Sequence, residues 1–345
     1  MDLCKNRSQQ RLCAKIVGAV IFVIAIAWII ISLRETPEEV KTCEPTITVR
    51  KMGQFGNQIW EYMSLYVIWN VQYDILKNFD FTPYIDEDMK ENLEDLFENL
   101  TIQAFPKIYR QCDDRETITI LKDQQFRLPQ NMYKRNILLD SYSARYEDVV
   151  EYGIENVKKE LRFKSKYVED VMKTFEKIRS EHHLQSNDTV FVGMHYRGGD
   201  YIPHLEGNHG TKFKGPPNYS YYTSAMDYFK AKYNNVIFIM VSIDGDWLAK
   251  NVAKIQKHGT VILNPYTNDV NRDLTLLSHC NHSIINYGTF GVTAALFAQG
   301  DTILYDLELP IDYRGDTLAL GLSKILPSWI PMKNTHEDDA VGYSL

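Results

Sequence analysis

The chain has 345 residues, a length that suits two domains of ~150 residues each. With 44% hydrophobic and 24% charged residues, the composition is that of a globular protein and excludes wholesale disorder, a collagen and a coiled coil. The formal net charge of -7 excludes a general positive field for nucleic acid or acidic lipid. Any anion therefore has to be bound by a local site.

An uncharged segment near the N-terminus predicts a membrane anchor. Residues 16–33 form an apolar run of 18 residues, which is enough for a helix of about 27 Å at ~1.5 Å per residue. The run ends without the small-x-small pattern of a cleaved signal peptide, so we expect it to be retained. Four Lys and Arg residues precede it and only Asp2 opposes them, which places residues 1–15 in the cytosol and residues 34–345 in the lumen.

The folded part begins after a short polar stem, residues 34–45. An N-terminal α/β unit, residues 46–185, opens with the strand TITVR, a glycine-broken turn and the helix IWEYMSLYVIWN. Further along this unit, the patterns predict helices at MKENLEDLFENL and YVEDVMKTFEKIRSE and a strand at NILLDSY.

From Thr189 onward, strand patterns alternate regularly with helix patterns, which is typical of a parallel sheet covered on both faces. The predicted strands are TVFVGMHY, NVIFIMVS, TVIL, HSIINY and DTILY, and the predicted helices are YSYYTSAMDYFKAKY, DWLAKNVAKIQK, NRDLTLLS and FGVTAALFAQ. Right-handed crossovers align the carboxyl ends of such strands along one edge, where open α/β sheets bind ligands. We assign this C-terminal unit to residues 186–331, followed by a solvated tail at 332–345.

A candidate anion clamp follows the strand VFVGMH, in the stretch HYRGGDY from His195 to Tyr201. An arginine at the end of a buried strand, followed by glycines that let backbone approach a ligand, suits a phosphate. The alternative is a tight turn in which Arg197 and Asp200 form a structural salt bridge, and spacing alone does not separate the two.

A second candidate turn, NYGTFG, follows another predicted strand and leads into a helix. Backbone amides at the start of that helix and the Thr289 hydroxyl would face the same anion. The alternative is an ordinary strand-to-helix turn with Thr289 as the N-cap residue.

The turn after the first strand reads GQFGNQ and lacks the third glycine of a dinucleotide-binding fingerprint. Its two amide side chains, Asn57 and Gln58, supply paired donors and acceptors that suit a hydroxyl-rich ligand.

The blocks GQFGNQIWEY, GMHYRGGDY, FIMVSIDGDW and DLTLLSHCNHSIINYGTFGVTAALFAQGDTILY occur in this order behind the predicted anchor. Together they resemble the galactoside α-1,2-fucosyltransferases of inverting glycosyltransferase family eleven, from about Gly53 to Trp329. The resemblance implies a GT-B-like α/β architecture, in which two Rossmann-like domains face across a cleft behind a single N-terminal transmembrane helix. It also implies GDP-fucose as donor, a galactose-terminated glycan as acceptor, no required cofactor or metal, and a single-pass type II protein of the Golgi membrane.

The resemblance also implies roles for individual residues. His195 and Arg197 would contact the nucleotide and its β-phosphate, and Asp273 would contact guanine. The pyrophosphate loop would consist of Gly288, Thr289 and Phe290.

Three residues of the N-terminal unit, Gly56, Asn57 and Gln58, would lie in the cleft near fucose or the acceptor.

The family pattern H-x-R-R-G-D has a second arginine where this chain has Gly198. One such contact to a leaving group contributes a few kcal/mol, roughly a hundredfold in rate. A catalytically impaired, membrane-anchored glycan-binding relative is therefore an alternative.

The implied reaction is displacement at the anomeric carbon of fucose by the galactose 2-hydroxyl, with GDP leaving from the opposite face and inversion from β to α. Without a metal, Arg197 and the amides at the helix start have to stabilise the charge on the β-phosphate. We predict Asp200 as the general base, with Glu61 as a second candidate.

Two motifs suggest metal sites that we do not expect. Asp244-Gly245-Asp246 imitates the D-x-D pair of metal-dependent sugar transferases, and such a metal-dependent enzyme is an alternative function. We expect these acids instead to cap the helix that contains Trp247. The run HCNH at 279–282 lacks zinc-ligand spacing, because adjacent positions project in different directions.

Other lumenal features suit a secreted fold. N-glycosylation sequons occur at Asn99, Asn187, Asn218 and Asn281. The three cysteines on this side allow at most one intramolecular disulfide. A glycine-containing stretch around His204 and His209 predicts a flap or a solvated loop.

Overall fold

The computed structural model describes most of the chain from Pro45 onward, together with a few helical positions between 15 and 26. The described ranges are 45–71, 82–105, 116–118, 136–139, 144–184, 188–199, 201–209, 214–266, 269–309 and 317–335. Pro45–Leu345 forms one compact unit and Met1–Glu44 another.

The predicted anchor at 16–33 lies largely outside the described residues, and within those described no helix has the length and apolar character needed to cross a bilayer. Four other predicted features also lie outside them: most of the stem, the sequon at Asn187, the candidate base Asp200, and the tail beyond residue 335.

The N-terminal half contains a five-stranded parallel sheet in the order β4-β2-β1-β6-β5. Its strands are β1 (Thr46–Thr48), β2 (Thr82–Ile85), β4 (Gln103–Ala104), β5 (Glu116–Ile118) and β6 (Ile137–Leu139). The residues of β1 are β-branched and buried, as expected for a central strand of a parallel sheet. A short antiparallel pair joins β3 (Phe97–Glu98) to β7 (Arg162–Phe163).

The helices in the described segments of this half are α1 (Phe55–Val71), α2 (Glu87–Leu96), α3 (Tyr146–Glu160) and α4 (Ser165–Glu181). Helix α1 is buried on nearly all sides, which is typical of a helix at the centre of a fold rather than on its surface. Its Trp60 Nε1 donates to the Ala144 carbonyl at 3.0 Å, which fixes α1 against the start of α3.

The C-terminal half contains a six-stranded parallel sheet in the order β10-β9-β8-β11-β12-β13. The strands are β8 (Thr189–Tyr196), β9 (Asn235–Ser242), β10 (Thr260–Leu263), β11 (His282–Ile285), β12 (Thr302–Tyr305) and β13 (Trp329–Met332). Numbered within this half, the order is 3-2-1-4-5-6, that of dinucleotide-binding sheets. The strand order reverses between β8 and β11, and ligands bind at this reversal in open α/β sheets.

Helices cover both faces of this sheet, as predicted. They are α5 (Tyr201–His209), α6 (Tyr219–Lys232), α7 (Gly245–Ile255), α8 (Val270–Ser278), α9 (Thr289–Ala298) and α10 (Leu318–Ile325). One hydrophobic cluster lies under α6 and α7, with Phe229 and Trp247 among its members. The other cluster runs from Ile47 in β1 to Leu276 in α8 without interruption, so the two sheets share one core.

The alternation predicted for residues 189–305 is confirmed, with element ends shifted by one or two residues. Two predictions were wrong. The stretch 201–209 is helix α5 rather than a loop, and the helix predicted to run to residue 100 ends at Leu96, where β3 begins. Helices α3 and α10 and strands β2, β3, β4, β5, β7 and β13 had no sequence prediction.

Candidate active site

The two turns predicted to bind an anion lie side by side at the strand-order reversal. Strands β8 and β11 are paired so that His195 faces Ile285, and the chains leave the sheet together at this point. Asn286, which is fully buried, then donates from Nδ2 to the Arg197 carbonyl at 2.7 Å. The arginine turn is thus held by the strand that carries the second turn.

His195 is buried at the end of β8 and is held from three directions. The Tyr222 hydroxyl donates to its carbonyl at 2.9 Å, and its ring lies 5.3 Å from the Phe290 ring. A Cβ on Gly291 would lie 2.9 Å from His195 Nδ1, so a glycine is needed there. Burial, and secondly the charge of Arg197, lower the pKa of His195 to about 3. The imidazole is therefore neutral and contributes hydrogen bonding rather than charge.

Arg197 is partly buried in the turn after β8. Its guanidinium carbon lies 5.6 Å from the centre of the Tyr201 ring, and Tyr201 stacks on Tyr287 with ring centres 4.7 Å apart. Arginine stays protonated at any physiological pH, and its planar donors suit a phosphate. The turn, whose backbone is joined to Asn286 three residues before α9, therefore carries a permanent cation.

Helix α9 begins without a side-chain cap. Its N-cap residue is Gly288, with φ +91°, a conformation that favours glycine. The alternative in which Thr289 is the N-cap is wrong, because Thr289 is the first helical residue and donates from its hydroxyl to Asn57 Oδ1 at 2.5 Å. The amides of the first turn and the helix dipole therefore favour an anion at this end.

Within the described part of the chain, His195 Nδ1 and Asn286 Oδ1 are buried polar atoms with no hydrogen-bond partner. Such atoms are uncommon in protein interiors. Both atoms lie at the strand-order reversal, where a bound ligand can supply the hydrogen-bond partners.

The predicted cleft residues of the N-terminal half separate into two groups. Gly56 lies directly against the start of α9: a Cβ there would be 2.7 Å from the Phe290 amide nitrogen and 2.8 Å from Thr289 Oγ1. Asn57 accepts the Thr289 hydroxyl, as described above. Gln58, in contrast, is buried and accepts from Asn92 Nδ2 at 2.9 Å, so its amide joins α1 to α2.

Asp273 lies elsewhere along the same sheet edge. It is in the first turn of α8, and its Oδ1 accepts from Asn264 Nδ2 at 2.5 Å, where Asn264 directly follows β10. Three strand spacings of ~4.8 Å, about 14 Å in all, separate β10 from β11. Burial raises the pKa of Asp273 to about 6, against the opposing effect of the Asn264 hydrogen bond.

Glu61 is fully buried within α1, which argues against its use as a general base. In the D-x-D motif, Asp244 caps the helix as predicted by accepting from Trp247 N at 2.9 Å, and it also accepts from Gly199 N at 3.0 Å. Asp246 lies in the first turn of the same helix. Among the described residues, no group of three or more His, Cys, Asp or Glu side chains has a geometry suited to a metal ion.

The residues of the HCNH run have separate structural contacts. His279 Nδ1 lies 2.7 Å from the Thr275 carbonyl, and His282 Nδ1 accepts from Asp301 N at 2.9 Å. Cys280 is buried with a free thiol whose pKa is raised by burial. Their side chains are therefore used in packing.

Three sequons lie in described segments. Asn99 is exposed with φ +50°. Asn218 caps α6 by accepting from Ser220 N at 2.8 Å, and Asn281 Oδ1 accepts from Phe191 N at 2.9 Å. At Asn218 and Asn281 the side-chain oxygen accepts the hydrogen bond. The side-chain nitrogen, which is the atom that carries a glycan, takes no part in these two bonds.

Sequence comparisons identify the family of the chain. The model of the family described as Glycosyl transferase family 11 matches residues 12–314. The chain belongs to glycosyl transferase family 11. A bovine galactoside 2-alpha-L-fucosyltransferase SEC1 is 31% identical over 147 residues, 42% of this chain and 39% of that relative. A mouse galactoside alpha-(1,2)-fucosyltransferase 1 is 34% identical over 145 residues, 41% of this chain and 37% of that relative.

The aligned part of the chain thus spans about two fifths of the length of each of these curated relatives. Among solved structures, an Arabidopsis thaliana FUT1 mutant in complex with GDP is similar with a TM-score of 0.47 and 12% identity, covering 77% of this chain and 71% of that one.

Proposed function

We propose that this family 11 protein is a galactoside 2-α-L-fucosyltransferase, which transfers fucose from GDP-fucose to the 2-hydroxyl of a terminal galactose on a glycan. The observation that carries the proposal is the strand-order reversal between β8 and β11. A neutral buried imidazole, a permanent cation and an uncapped helix start meet there. That combination suits the diphosphate of a sugar nucleotide.

The donor would extend along the carboxyl edge of the sheet. Its diphosphate would lie between Arg197 and the start of α9, and its guanine would reach Asp273 beside β10. The separation of about 14 Å is comparable to the length of an extended nucleoside diphosphate. An ionised Asp273 would accept two N–H groups of guanine, a pairing that no other nucleobase offers in the same arrangement.

The chemical step would form a bond between the galactose O2 and the anomeric carbon of fucose and break the bond from that carbon to the β-phosphate oxygen. The electron pair of the broken bond leaves with GDP, and configuration inverts from β to α. Arg197 and the amides of Gly288, Thr289 and Phe290 would stabilise the charge that develops on the β-phosphate. We assign removal of the hydroxyl proton to Asp200, and no metal takes part in this scheme.

The acceptor would approach from the N-terminal half, where Gly56 and Asn57 contact the start of α9. In this proposal the two sheets belong to two Rossmann-like domains, residues 46–185 and 186–331, in a GT-B-like arrangement. The position of Gln58 between α1 and α2 gives it a supporting role in the same turn.

The uncharged segment 16–33 supports a type II anchor in the Golgi membrane, with the stem at 34–45 and the folded part in the lumen. Glycans at the sequons Asn99, Asn187, Asn218 and Asn281 belong to the same proposal.

The proposal is tested by incubating the full-length protein in detergent with GDP-fucose and a panel of galactose-terminated glycans. We expect a product with fucose in α-linkage to the galactose 2-position, formed equally well in EDTA. A second candidate function, a glycan-binding relative without transfer, is favoured by Gly198. GDP binding without modification of any acceptor would establish that candidate and contradict the transferase.

A further inference from the structure

The glycine that replaces the family's second arginine is enforced by its surroundings. A Cβ on Gly198 would lie 2.5 Å from the Tyr196 hydroxyl, 2.6 Å from Asp244 Oδ2 and 2.9 Å from Tyr196 Cε1. Contacts under about 3 Å between such atoms are far inside van der Waals distance. Any side chain at position 198 therefore requires both neighbours to move.

Tyr196 has little freedom to move. Its side chain is fully buried and stacks on Trp247, with ring centres 3.9 Å apart and planes 15° from parallel. The Tyr222 ring meets Trp247 edge-on at 5.3 Å, so the stack is closed on that side. Displacing the Tyr196 ring would disturb a close-packed aromatic cluster.

Asp244 is held just as firmly, and it connects two turns. Its Oδ1 accepts from Trp247 N at 2.9 Å and caps α7, while its Oδ2 accepts from Gly199 N at 3.0 Å. Its own amide donates to Ser242 Oγ at 3.1 Å. The carboxylate thus joins the start of α7, after β9, to the turn after β8.

The Arg197 turn is consequently held from both neighbouring strands. Asn286, after β11, donates to the Arg197 carbonyl at 2.7 Å, and Asp244, after β9, accepts from the Gly199 amide. Two hydrogen bonds on opposite sides of three consecutive residues fix the backbone from which the guanidinium projects. Such preorganisation lowers the cost of ordering a cation on an anionic ligand.

We propose that Asp244 is a positioning residue for the donor: it orients the turn of Arg197 through the Gly199 amide, in the space that Gly198 leaves beside Tyr196. This inference rests on the proposed function, because it assigns the diphosphate to Arg197. It implies that this chain binds the diphosphate with one oriented arginine and that an arginine at position 198 would disrupt the arrangement.

The direct test compares Asp244→Ser with Asp244→Ala. Serine is a good N-cap residue and keeps a hydrogen bond to Trp247 N, but it is too short to accept from Gly199 as well. For Asp244→Ser we expect a melting temperature close to that of the parent, a dissociation constant for GDP at least fivefold higher, and an acceptor KM within twofold. Asp244→Ala should weaken GDP binding similarly and also lower the melting temperature.

The matched control is Asp246→Ser, which removes the same charge from the same helical turn at an exposed position. GDP affinity should stay within twofold of the parent in this control. If Asp244→Ser binds GDP as tightly as Asp246→Ser, the inference is overturned.

A second test concerns Gly198 itself. Gly198→Arg should lower donor kcat/KM at least tenfold, and Gly198→Ala should lower it severalfold, whereas Gly207→Ala, where a Cβ meets open space, should not. A gain of activity in Gly198→Arg would overturn the inference.

The two proposals fail separately. A parent that binds GDP but transfers no fucose contradicts the proposed function, and the GDP affinities of the Asp244 variants still decide the role of Asp244. A parent that does not bind GDP overturns both proposals.

Discussion

The turns at the strand-order reversals of the two sheets are built differently. After β8, the chain is fixed by side chains from both neighbouring strands, Asn286 and Asp244, and it presents a cation. After β1, the chain contributes a glycine in direct contact with Phe290 and one amide acceptor, Asn57. The difference teaches that the C-terminal half supplies the charge of the site, while the N-terminal half packs closely against the start of α9.

The largest expected effect is the loss of the cation. Arg197→Ala should lower kcat for fucose transfer at least a hundredfold, about 2.7 kcal/mol, because one guanidinium stabilises the leaving diphosphate. The measurement is steady-state transfer at saturating donor. Arg162→Ala, at an exposed position in β7, is the control and should retain activity. Equal rates in the two variants would remove the phosphate contact from Arg197.

The close contact from the N-terminal half should come next in size. Gly56→Ala places a Cβ 2.7 Å from the Phe290 amide nitrogen and 2.9 Å from Phe290 Cα, so backbone has to move. We expect kcat/KM to fall at least tenfold, with Gly207→Ala as the control at an open position. An unchanged rate in Gly56→Ala would contradict a role of this contact in turnover.

A smaller effect is expected from the hydrogen bond that joins Thr289, at the start of α9, to Asn57 in the N-terminal half. Thr289→Val removes the hydroxyl that donates to Asn57, and we expect a three- to tenfold loss of kcat/KM, the range of one hydrogen bond of about 1 kcal/mol. In a double-mutant cycle with Asn57→Ala, the second substitution should add little to the first. Additive losses would mean that the two side chains act independently.

The pH dependence of donor binding tests the far end of the site. The pKa of Asp273 is raised to about 6 from its ordinary value near 4, so its carboxylate is lost as the pH falls through about 6. The affinity for GDP-fucose, whose doubly esterified diphosphate does not titrate in this range, should therefore weaken below that pH, while His195 stays neutral across the same range. Isothermal titration calorimetry between pH 5 and 8 measures this change in donor affinity. In Asp273→Asn the dependence should disappear, and a profile identical to that of the parent would exclude Asp273 from the guanine contact.

Much of the site's placement could be predicted from the sequence. The alternation of strands and helices after Thr189 requires a parallel sheet, and such a sheet brings Arg197 and Thr289 to one edge. The capping of α7 by Asp244 followed from its place before a helix. Periodicity and helix caps are local signals in the sequence. The sheet edge and the cap of α7 could therefore be predicted without knowledge of contacts between distant residues.

The remainder depends on contacts between distant residues. The pairing of Gln58 with Asn92 and the second bond of Asp244, to Gly199, join positions that no local pattern relates. Helix α5 was missed because Pro203 and Gly207 are typical of loops, although proline is tolerated in the first turn of a helix. The requirement for glycine at position 198 comes from Tyr196 and Asp244, two side chains that no local pattern places beside it.

The central claim is that the diphosphate of the donor lies at the reversal between β8 and β11. An experimental structure of the protein with GDP tests it most directly. The account predicts β-phosphate oxygens within about 3.2 Å of the Arg197 guanidinium and of an amide at the start of α9, with guanine beside Asp273. A nucleotide bound at any other edge of the molecule, with Arg197 untouched, would contradict it.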